Sequence, residues 1–422
     1  MAPNDNSSIT RRSFIQKAGV AAAAVGALGS YSGAWAQGNE TLRAGLIGCG
    51  GRGTGAAHNF LDSSDDVEVI ALADLFEDKA QGTRNNLKEN KDVEISDDMI
   101  FSGFDCYEKI LATDIDIILT ASTPHFRPRE FAAAVAAGKH VFMEKPLAVD
   151  PVGARSIMAS AELADQKGLS VAVGTQRRHQ QSYLECIQRV RDGAIGDIVA
   201  ARAYWNGGPL GGWDRTDSPT SVEEQIRNRW VHFTWLGGDH IVEQHVHNID
   251  VVNWFMGTHP VSAVGMGYRA RKTYGDGYDF FSVDFVYDNG VHMESKCRQQ
   301  PDTASNVSEW VVGTNGTANC WGELKSHSGD TIWRFRGDQT NPYVQEHTDL
   351  VDSIRNGEPF NDAHGVAASV MTAIMGRESA YTGQEITWDQ MMESTFEMGP
   401  GEYHLPMDYD VRDVPKPGIY RI

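Results

Sequence analysis

The feature that most constrains the fold of this chain is a glycine-rich turn near residue 50. An apolar run, Ala44–Ile47, ends in Gly-Cys-Gly-Gly-Arg-Gly, which fits the pattern G-x-G-x-x-G, and an alanine-containing helical segment follows. In a dinucleotide fold such glycines provide a tight turn, close backbone approach to a pyrophosphate and close helix–strand packing. The N–H groups at the helix start favour an anion. The alternative is a purely structural turn. The predicted dinucleotide site comprises Gly48, Gly50, Gly51, Arg52 and Gly53.

A second predicted strand, Val67–Leu72, strengthens the dinucleotide interpretation. Asp74 follows it about 20 residues beyond the last glycine, where the dinucleotide fingerprint places an acid on the ribose hydroxyls. A carboxylate accepts from these hydroxyls and repels a 2′-phosphate, and the next basic residue is Lys79. The sequence therefore predicts NAD as the cofactor and disfavours NADP.

Strands and helices keep alternating as far as residue 174. The further segments are Ile115–Leu119, Phe131–Ala137, His140–Met143, a helix from Asp150-Pro151 to about Gln166, and Leu169–Val173. This alternation predicts an α/β fold with a parallel, doubly wound sheet over residues 41–174, a Rossmann domain.

Ligands of doubly wound sheets bind beyond the carboxyl ends of the strands. The residues at or just after such ends that we assign to the cofactor are Thr123, Pro124, Glu144, Lys145 and Gln176. Lys145, held between an acid and a proline, is also a functional candidate, with a solvated loop lysine as the alternative.

The segment from Gly237 to Asp250 is rich in titratable residues. If a helix opens after the glycines, Glu243 and His247 are four residues apart and share a face. That pairing suits a base whose charge and tautomer are set by a carboxylate. A metal site is disfavoured because His245 and His247 point to different faces and no H-E-x-x-H occurs, and a purely structural helix is the other alternative.

The second half also shows the pattern of an antiparallel sheet. The alternating run Ser282–Tyr287 precedes the turn Asp288-Asn289-Gly290 and a partner run, Val291–Glu294. Asp-Asn-Gly between alternating runs predicts a hairpin.

The block Ala-Gly-Lys-His-Val-Phe-Met-Glu-Lys-Pro-Leu at residues 137–147, with the glycine turn, resembles the Gfo/Idh/MocA family of glucose–fructose oxidoreductase and inositol dehydrogenase. The resemblance extends from about Leu42 to Trp388. It implies an α+β second domain over 175–388, with a large, mostly antiparallel open sheet and a closing helix at 362–381. It further implies that Lys145 bonds the reacting hydroxyl, that His247 is the catalytic base, and that Glu243 is its acid partner.

The chain departs from the family pattern at several positions. Glu243 stands where Asp is usual, His245 replaces a glycine, and Pro128 occupies the place of a usual His, so we leave His125 out of the site. Lys145, Arg178 and His247 are assigned to the substrate, although Arg178 would equally suit a clasp between domains. The tryptophans near this segment suit sugar stacking and core equally well: Trp205, Trp213, Trp230 and Trp235.

The N-terminus resembles a twin-arginine export signal. Residues 10–17, Thr-Arg-Arg-Ser-Phe-Ile-Gln-Lys, precede an apolar, alanine-rich stretch that ends in Ala34-Trp35-Ala36. Cleavage after Ala36, within a signal at 1–36, predicts a periplasmic or otherwise exported protein. The formal net charge changes from −20 to −22, because the removed segment holds three basic residues and one acid. Such acidity disfavours nucleic-acid and anionic-membrane binding.

Other features predict less. The five cysteines show no disulfide or metal spacing, and no metal is predicted. The protein is expected to be a homo-oligomer, and residues 389–422 form a C-terminal extension that would suit an arm reaching a neighbouring subunit.

We therefore expect an exported, NAD-dependent oxidoreductase that acts on a sugar or polyol hydroxyl. Two alternatives stay open: a glycosidase that uses transient sugar oxidation with a retained NAD, and a non-catalytic sugar-binding protein. Because the periplasm is poor in free NAD(H), a tightly bound cofactor is expected.

Overall fold

The computed structural model describes residues 41–217, 221–407 and 409–422. The predicted export signal, residues 1–36, lies outside the described residues. No helix within the described ranges is both long and apolar enough to cross a membrane.

The first half contains one six-stranded sheet. Its strands are β1 (Leu42–Ile47), β2 (Val67–Asp74), β3 (Ile100–Ser102), β4 (Ile117–Thr120), β5 (His140–Met143) and β6 (Val171–Val173). They pair in the order β3-β2-β1-β4-β5-β6, and every pair is parallel. This is the doubly wound order, so the predicted Rossmann sheet is confirmed.

Helices connect these strands. They are α1 (Gly51–Leu61), α2 (Glu77–Lys91), α3 (Cys106–Leu111), α4 (Arg127–Ala136), α5 (Pro151–Gln166) and α6 (Gln181–Arg191), with 3₁₀ turns at Asp97–Met99, Pro124–Phe126 and Gln176–His179. Helix α5 begins where the sequence predicts. The Asp150 carboxylate accepts from the Gly153 N–H at 2.7 Å, and Pro151 occupies the first helical position, where no N–H is needed.

The second half holds a nine-stranded sheet and the remaining helices. The strands are β7 (Ile198–Gly207), β8 (Ser262–Tyr268), β9 (Phe280–Val286), β10 (His292–Gln299), β11 (Asn306–Gly313), β12 (Gly316–Ala318), β13 (Glu323–Ser326), β14 (Thr331–Arg334) and β15 (Glu385–Thr387). The helices are α7 (Val222–Glu224), α8 (Thr234–Gly237), α9 (His240–Glu243), α10 (Val246–Met256), α11 (Pro342–Asn356), α12 (Ala363–Thr382) and α13 (Trp388–Glu393), with a π-helix at Gln225–Arg229 and a 3₁₀ turn at Trp230–His232.

The large sheet has the order β14-β13-β12-β11-β7-β10-β9-β8-β15. Strands β7 and β10 are parallel, and the other pairs of described strands are antiparallel. The hairpin of β9 and β10 around Asp288-Asn289-Gly290 is the one that the sequence predicts. The predicted mostly antiparallel second sheet is confirmed.

Helix α12 covers one face of this sheet. A Cβ at Gly265 in β8 would lie 2.8 Å from the backbone nitrogen of Ala380, so the glycine allows the helix to pack directly on the strand. From Ser369 to Thr382 every residue of α12 is buried. The opposite face of the sheet is open, and Met266 on it is 71% exposed.

Helix α11 lies far along the chain but belongs to the core of the Rossmann sheet. Its Leu350, Val351 and Ile354 are buried in one cluster with Leu46 of β1 and Phe142 of β5. The backbone continues this contact, because the Val171 N–H of β6 donates to the Phe360 carbonyl at 2.8 Å.

The described part of the C-terminal extension packs on its own chain. The Met398 N–H donates to the Asp150 carboxylate at 2.9 Å, and Arg412 Nε donates to the Asp276 carboxylate at 3.0 Å. These contacts hold parts of the segment against its own chain, while Ile419 is 74% exposed, so an arm that reaches a neighbouring subunit stays a prediction.

Candidate active site

One cavity of about 410 Å³ follows the carboxyl edge of the Rossmann sheet. At one end it is bordered by the glycine turn and Asp74, and at the other by Lys145, Glu243 and His247. The sequence-predicted residues that border it are Gly48, Gly50, Gly51, Arg52, Gly53, Asp74, Thr123, Glu144, Lys145, Gln176, Glu243 and His247. Pro124 is buried and Arg178 is part-buried, and neither borders the cavity.

The glycine turn leaves space where a pyrophosphate would lie. No side chain caps α1 at Gly50, and its first turn carries no acid, so its free N–H groups suit an anion. A Cβ at Gly50 or Gly51 would meet nothing within 4 Å, whereas one at Gly53 would lie 1.8 Å from the Gly48 carbonyl oxygen. Gly48 itself has a φ of +89°. The turn therefore fits a dinucleotide, with two glycines facing open space and two fixing the turn.

This difference gives a prediction for Gly50→Val. The φ of Gly50 is −81°, which any residue adopts, and the added side chain would enter the open space. We expect the unfolding midpoint without cofactor to be unchanged and the affinity for NAD, measured by calorimetry, to fall at least about tenfold. Gly82→Val is the matched control, since a Cβ there also meets nothing within 4 Å but lies outside the cavity. Equal affinity in both variants would contradict the assignment of the turn.

Asp74 ends β2 beside the turn. Its carboxylate accepts from the backbone N–H of Cys49 at 2.7 Å and from that of Phe76 at 2.9 Å. Burial raises the pKa of Asp74, and these two hydrogen bonds oppose the shift. The two bonds fix the carboxylate at the cavity wall, where its remaining lone pairs are available to hydroxyl donors.

A second group surrounds Arg52. Its Nε donates to the Glu144 carboxylate, its guanidinium lies 5.2 Å from the ring centroid of Tyr343, and Glu346 of α11 lies 3.9 Å away. Gln176 Nε2 donates to the Tyr343 hydroxyl at 3.1 Å. Helix α11 therefore supplies a wall of the cleft that the sequence analysis missed, because no local motif marks Tyr343 or Glu346.

Lys145 follows β5 and reaches the second domain. Its Nζ donates to the backbone carbonyl of Glu243 at 2.6 Å and to Glu243 Oε1 at 3.0 Å. An ammonium group carries three N–H donors, so one remains for a ligand in the cavity.

The predicted continuous helix through Glu243 and His247 is wrong. Helix α9 ends at Glu243 and α10 begins at Val246. The Glu243 carbonyl accepts from Lys145, and the His247 N–H donates instead to the Gln244 carbonyl at 3.3 Å. The Glu243 carboxylate is likewise bonded to Lys145, so the predicted Glu243–His247 pair is corrected to a Glu243–Lys145 pair.

His247 presents a neutral ring to the same end of the cavity. Burial, followed by the charges of Lys145 and Arg177, lowers the pKa of His247 well below its ordinary value. The ring stacks on Trp205, with the two ring centroids 5.8 Å apart. No described residue forms a hydrogen bond with the ring nitrogens of His247. A neutral imidazole with a free nitrogen is able to accept a proton.

The assignment of Arg178 to a substrate is corrected by its contacts. Its Nε and one Nη each donate to the Asp250 carboxylate at 2.8 Å, which ties the 3₁₀ turn after β6 to α10. The bidentate pair uses the guanidinium fork, so the domain-clasp alternative is the one observed.

Of the four tryptophans for which sugar stacking and core packing were both open, two lie at the site and two lie in the core. Trp230 borders the cavity and Trp205 stacks on His247, while Trp213 and Trp235 are buried in the core. His125, left out of the site, bonds the Tyr403 hydroxyl at 2.6 Å and does not border the cavity.

Arg127 is a further site residue that the sequence analysis missed. It donates to the carbonyls of Ser122 at 2.5 Å and Pro146 at 2.6 Å, and so joins the loops that follow β4 and β5. Burial lowers the pKa of Arg127 to about 10. Its position two residues after Pro124-His125, at the start of α4 beyond the end of a strand, was the available signal. Within the described ranges, no group of His, Cys, Asp and Glu has the arrangement of a metal site.

Two family models match the chain in succession. The model of the Gfo/Idh/MocA oxidoreductase family with an NAD-binding Rossmann fold matches residues 42–175, and the model of the GFO/IDH/MocA C-terminal domain matches residues 183–319. This chain belongs to the Gfo/Idh/MocA family. The resemblance and the predicted NAD-binding domain are confirmed, and the first matching model describes an oxidoreductase family.

Curated relatives of this Gfo/Idh/MocA protein include two inositol 2-dehydrogenases. That of Agrobacterium fabrum is 28% identical over 223 residues, which cover 53% of this chain and 56% of the relative. That of Cereibacter sphaeroides is 27% identical over 279 residues, which cover 66% and 73%. The chain thus spans between about half and three quarters of the length of these relatives.

A solved structure shares the Gfo/Idh/MocA fold. The scyllo-inositol dehydrogenase of Lactobacillus casei, with bound NAD(H) and scyllo-inositol, superposes with a TM-score of 0.61 at 19% identity. The match covers 82% of this chain and 99% of that chain. The agreement therefore concerns the whole two-domain architecture.

Proposed function

We propose that this protein is an NAD-dependent dehydrogenase of a sugar or polyol hydroxyl. The observation that carries the proposal is one continuous cavity, with a dinucleotide-fitting glycine turn at one end and Lys145 and His247 together at the other. The similarity to inositol dehydrogenases supports a polyol or sugar as the substrate class.

The residues of the cavity divide the chemical work. NAD, when bound, supplies the hydride acceptor. His247 accepts the hydroxyl proton on its free ring nitrogen, which stays unprotonated because its pKa is lowered. The remaining N–H of Lys145 donates to the same oxygen and stabilises its developing negative charge. Glu243 holds Lys145 through two bonds and thereby fixes the direction of that donor.

The test is NADH formation by purified protein with NAD and a panel of inositols, sugars and glycosides. We expect His247→Ala to retain NAD and to slow turnover by about 100-fold or more, as for a lost general base. His364→Ala is the control, because His364 is an exposed histidine paired with Asp165. The wild-type rate should also persist below pH ~6.5, the ordinary histidine range, since the base remains neutral there.

Two outcomes would contradict the proposal. Release of an aglycone from a glycoside with no net NADH would favour the redox-assisted glycosidase. Binding of sugar without turnover of any panel member would favour the non-catalytic alternative.

We further propose export through the twin-arginine route, a periplasmic location and a homo-oligomer. Residues 10–17 and the Ala-Trp-Ala pattern support export. The exposed apolar side chains of β8 on the open sheet face, Val264, Met266 and Tyr268, support self-association. Cell fractionation and sedimentation of the mature protein measure these properties.

A further inference from the structure

The cofactor end of the cavity has a wall from the second domain. We call residues 221–233 the wall segment; it comprises α7, the π-helix Gln225–Arg229 and the 3₁₀ turn Trp230–His232. Its Ile226, Arg227 and Trp230 border the cavity together with Asp74 and Phe76 of the Rossmann domain. A π-helix is rare and often marks a functional site.

Arg227 joins the wall segment to the Rossmann domain. One of its Nη atoms lies 2.8 Å from both carboxylate oxygens of Asp78 in the first turn of α2. Its guanidinium also lies 3.8 Å from the ring centroid of Phe76. An exposed ion pair alone contributes little, but this one is combined with a cation–π contact at the same guanidinium.

Two residues of the wall segment, Gln225 and Ile226, are fixed in the core. Ile226 is buried in a cluster with Phe233 and Trp235, and Gln225 Oε1 accepts from Trp235 Nε1 at 3.1 Å. The C-terminal extension supports these two residues through Trp235, because the rings of Tyr409 and Trp235 lie 4.9 Å apart. Release of Arg227 from Asp78 and Phe76 would therefore free the cavity edge without disturbing the packing of Gln225 and Ile226.

The bridge lies at the ribose end of the site. Asp78 is four residues beyond Asp74, in the first turn of α2, and Phe76 stands between them. We propose that the Arg227–Asp78 bridge closes the adenosine end of the cleft and retains NAD between turnovers. This inference rests on the proposed dehydrogenase function. It makes the dinucleotide a resident cofactor and not a released co-substrate.

The experiment measures the dissociation rate of NADH from the purified full chain after mixing with excess NAD, by the loss of protein-to-NADH energy transfer. We expect Arg227→Ala and Asp78→Ala each to raise the rate about tenfold, and the double variant to raise it no further. Arg84→Ala is the matched control. Arg84, on α2 and outside the cavity, has a side chain that is 28% exposed, as is that of Arg227, and it pairs with exposed Asp97.

A charge exchange separates the bridge from direct contact with the cofactor. The variant Arg227→Asp with Asp78→Arg should return the rate towards that of the wild type. An unchanged rate in Arg227→Ala, or a rise in Arg227→Ala without one in Asp78→Ala, would overturn the bridge. If the bridge variants release NADH faster but the protein oxidises no polyol, the proposed substrate class is contradicted and this inference is still supported. A wild-type chain that binds no NADH would overturn both.

Discussion

Lys145→Met is expected to slow turnover by at least about 100-fold while NAD still binds. Methionine has the length of the apolar stem of lysine, as far as Cε, but has no N–H to donate at its end. The loss removes the donor to the substrate oxygen and also the two bonds to Glu243. Because the phosphate turn and Asp74 are unaffected, calorimetry should give a near-native affinity for NAD.

The same substitution leaves a part-buried carboxylate without its partner. The Glu243 side chain is 12% exposed, so its charge would be poorly solvated in Lys145→Met. Adding Glu243→Gln should restore the unfolding midpoint but not the turnover, which separates chemistry from stability. Lys139→Met is the control, since Nζ of Lys139 donates to the Ile115 carbonyl and lies outside the cavity. Near-native turnover in Lys145→Met would remove Lys145 from the mechanism.

Arg377→Met is expected to lower the free energy of unfolding by about 3–5 kcal/mol, the usual cost of breaking a buried ion pair. Arg377 and Glu378 in α12 are both fully buried, and their charged atoms lie 2.7 Å apart. Arg377 also donates to the carbonyls of Val149 at 2.8 Å and Gly238 at 3.0 Å. It thus ties the start of α5 to the turn before α9, which carries Glu243.

Denaturant unfolding of the purified chain measures this effect. Arg355→Ala should cost less than about 1 kcal/mol, because Arg355 is partly exposed and lies 3.9 Å from exposed Asp66. Arg377→Met with Glu378→Gln should recover part of the loss by removing the unpaired charge. A loss in Arg377→Met no larger than that in Arg355→Ala would show that the pair is not a major support.

Local signals in the sequence predict much of this architecture. The glycine turn, the Asp150 cap and the Asp-Asn-Gly hairpin depend on residues within a few positions of one another, so their conformations follow from neighbouring chemistry. Asp74 was also predictable, because the spacing from the turn to the end of the second strand is short.

Features set by distant residues were not predictable in this way. Helical spacing alone would place Glu243 and His247 on one face, but Lys145, 98 residues away, takes the carbonyl that would continue the helix. Tyr343 and Arg227 reach the cavity from segments with no motif of their own. An arginine at position 178 could bind either a sugar hydroxyl or a carboxylate, and only the position of Asp250 decides between them.

The sharing of the Rossmann core by α11 limits how this protein can be recombined with its relatives. A chimera cut at residue 174 would exchange the sheet but keep Leu350, Val351 and Ile354 of the old chain against it. The new strand β6 would also have to supply the backbone N–H that Val171 donates to the Phe360 carbonyl. The residues that form the nucleotide-binding half are therefore discontinuous in sequence, and a successful exchange must transfer residues 342–362 together with the first half.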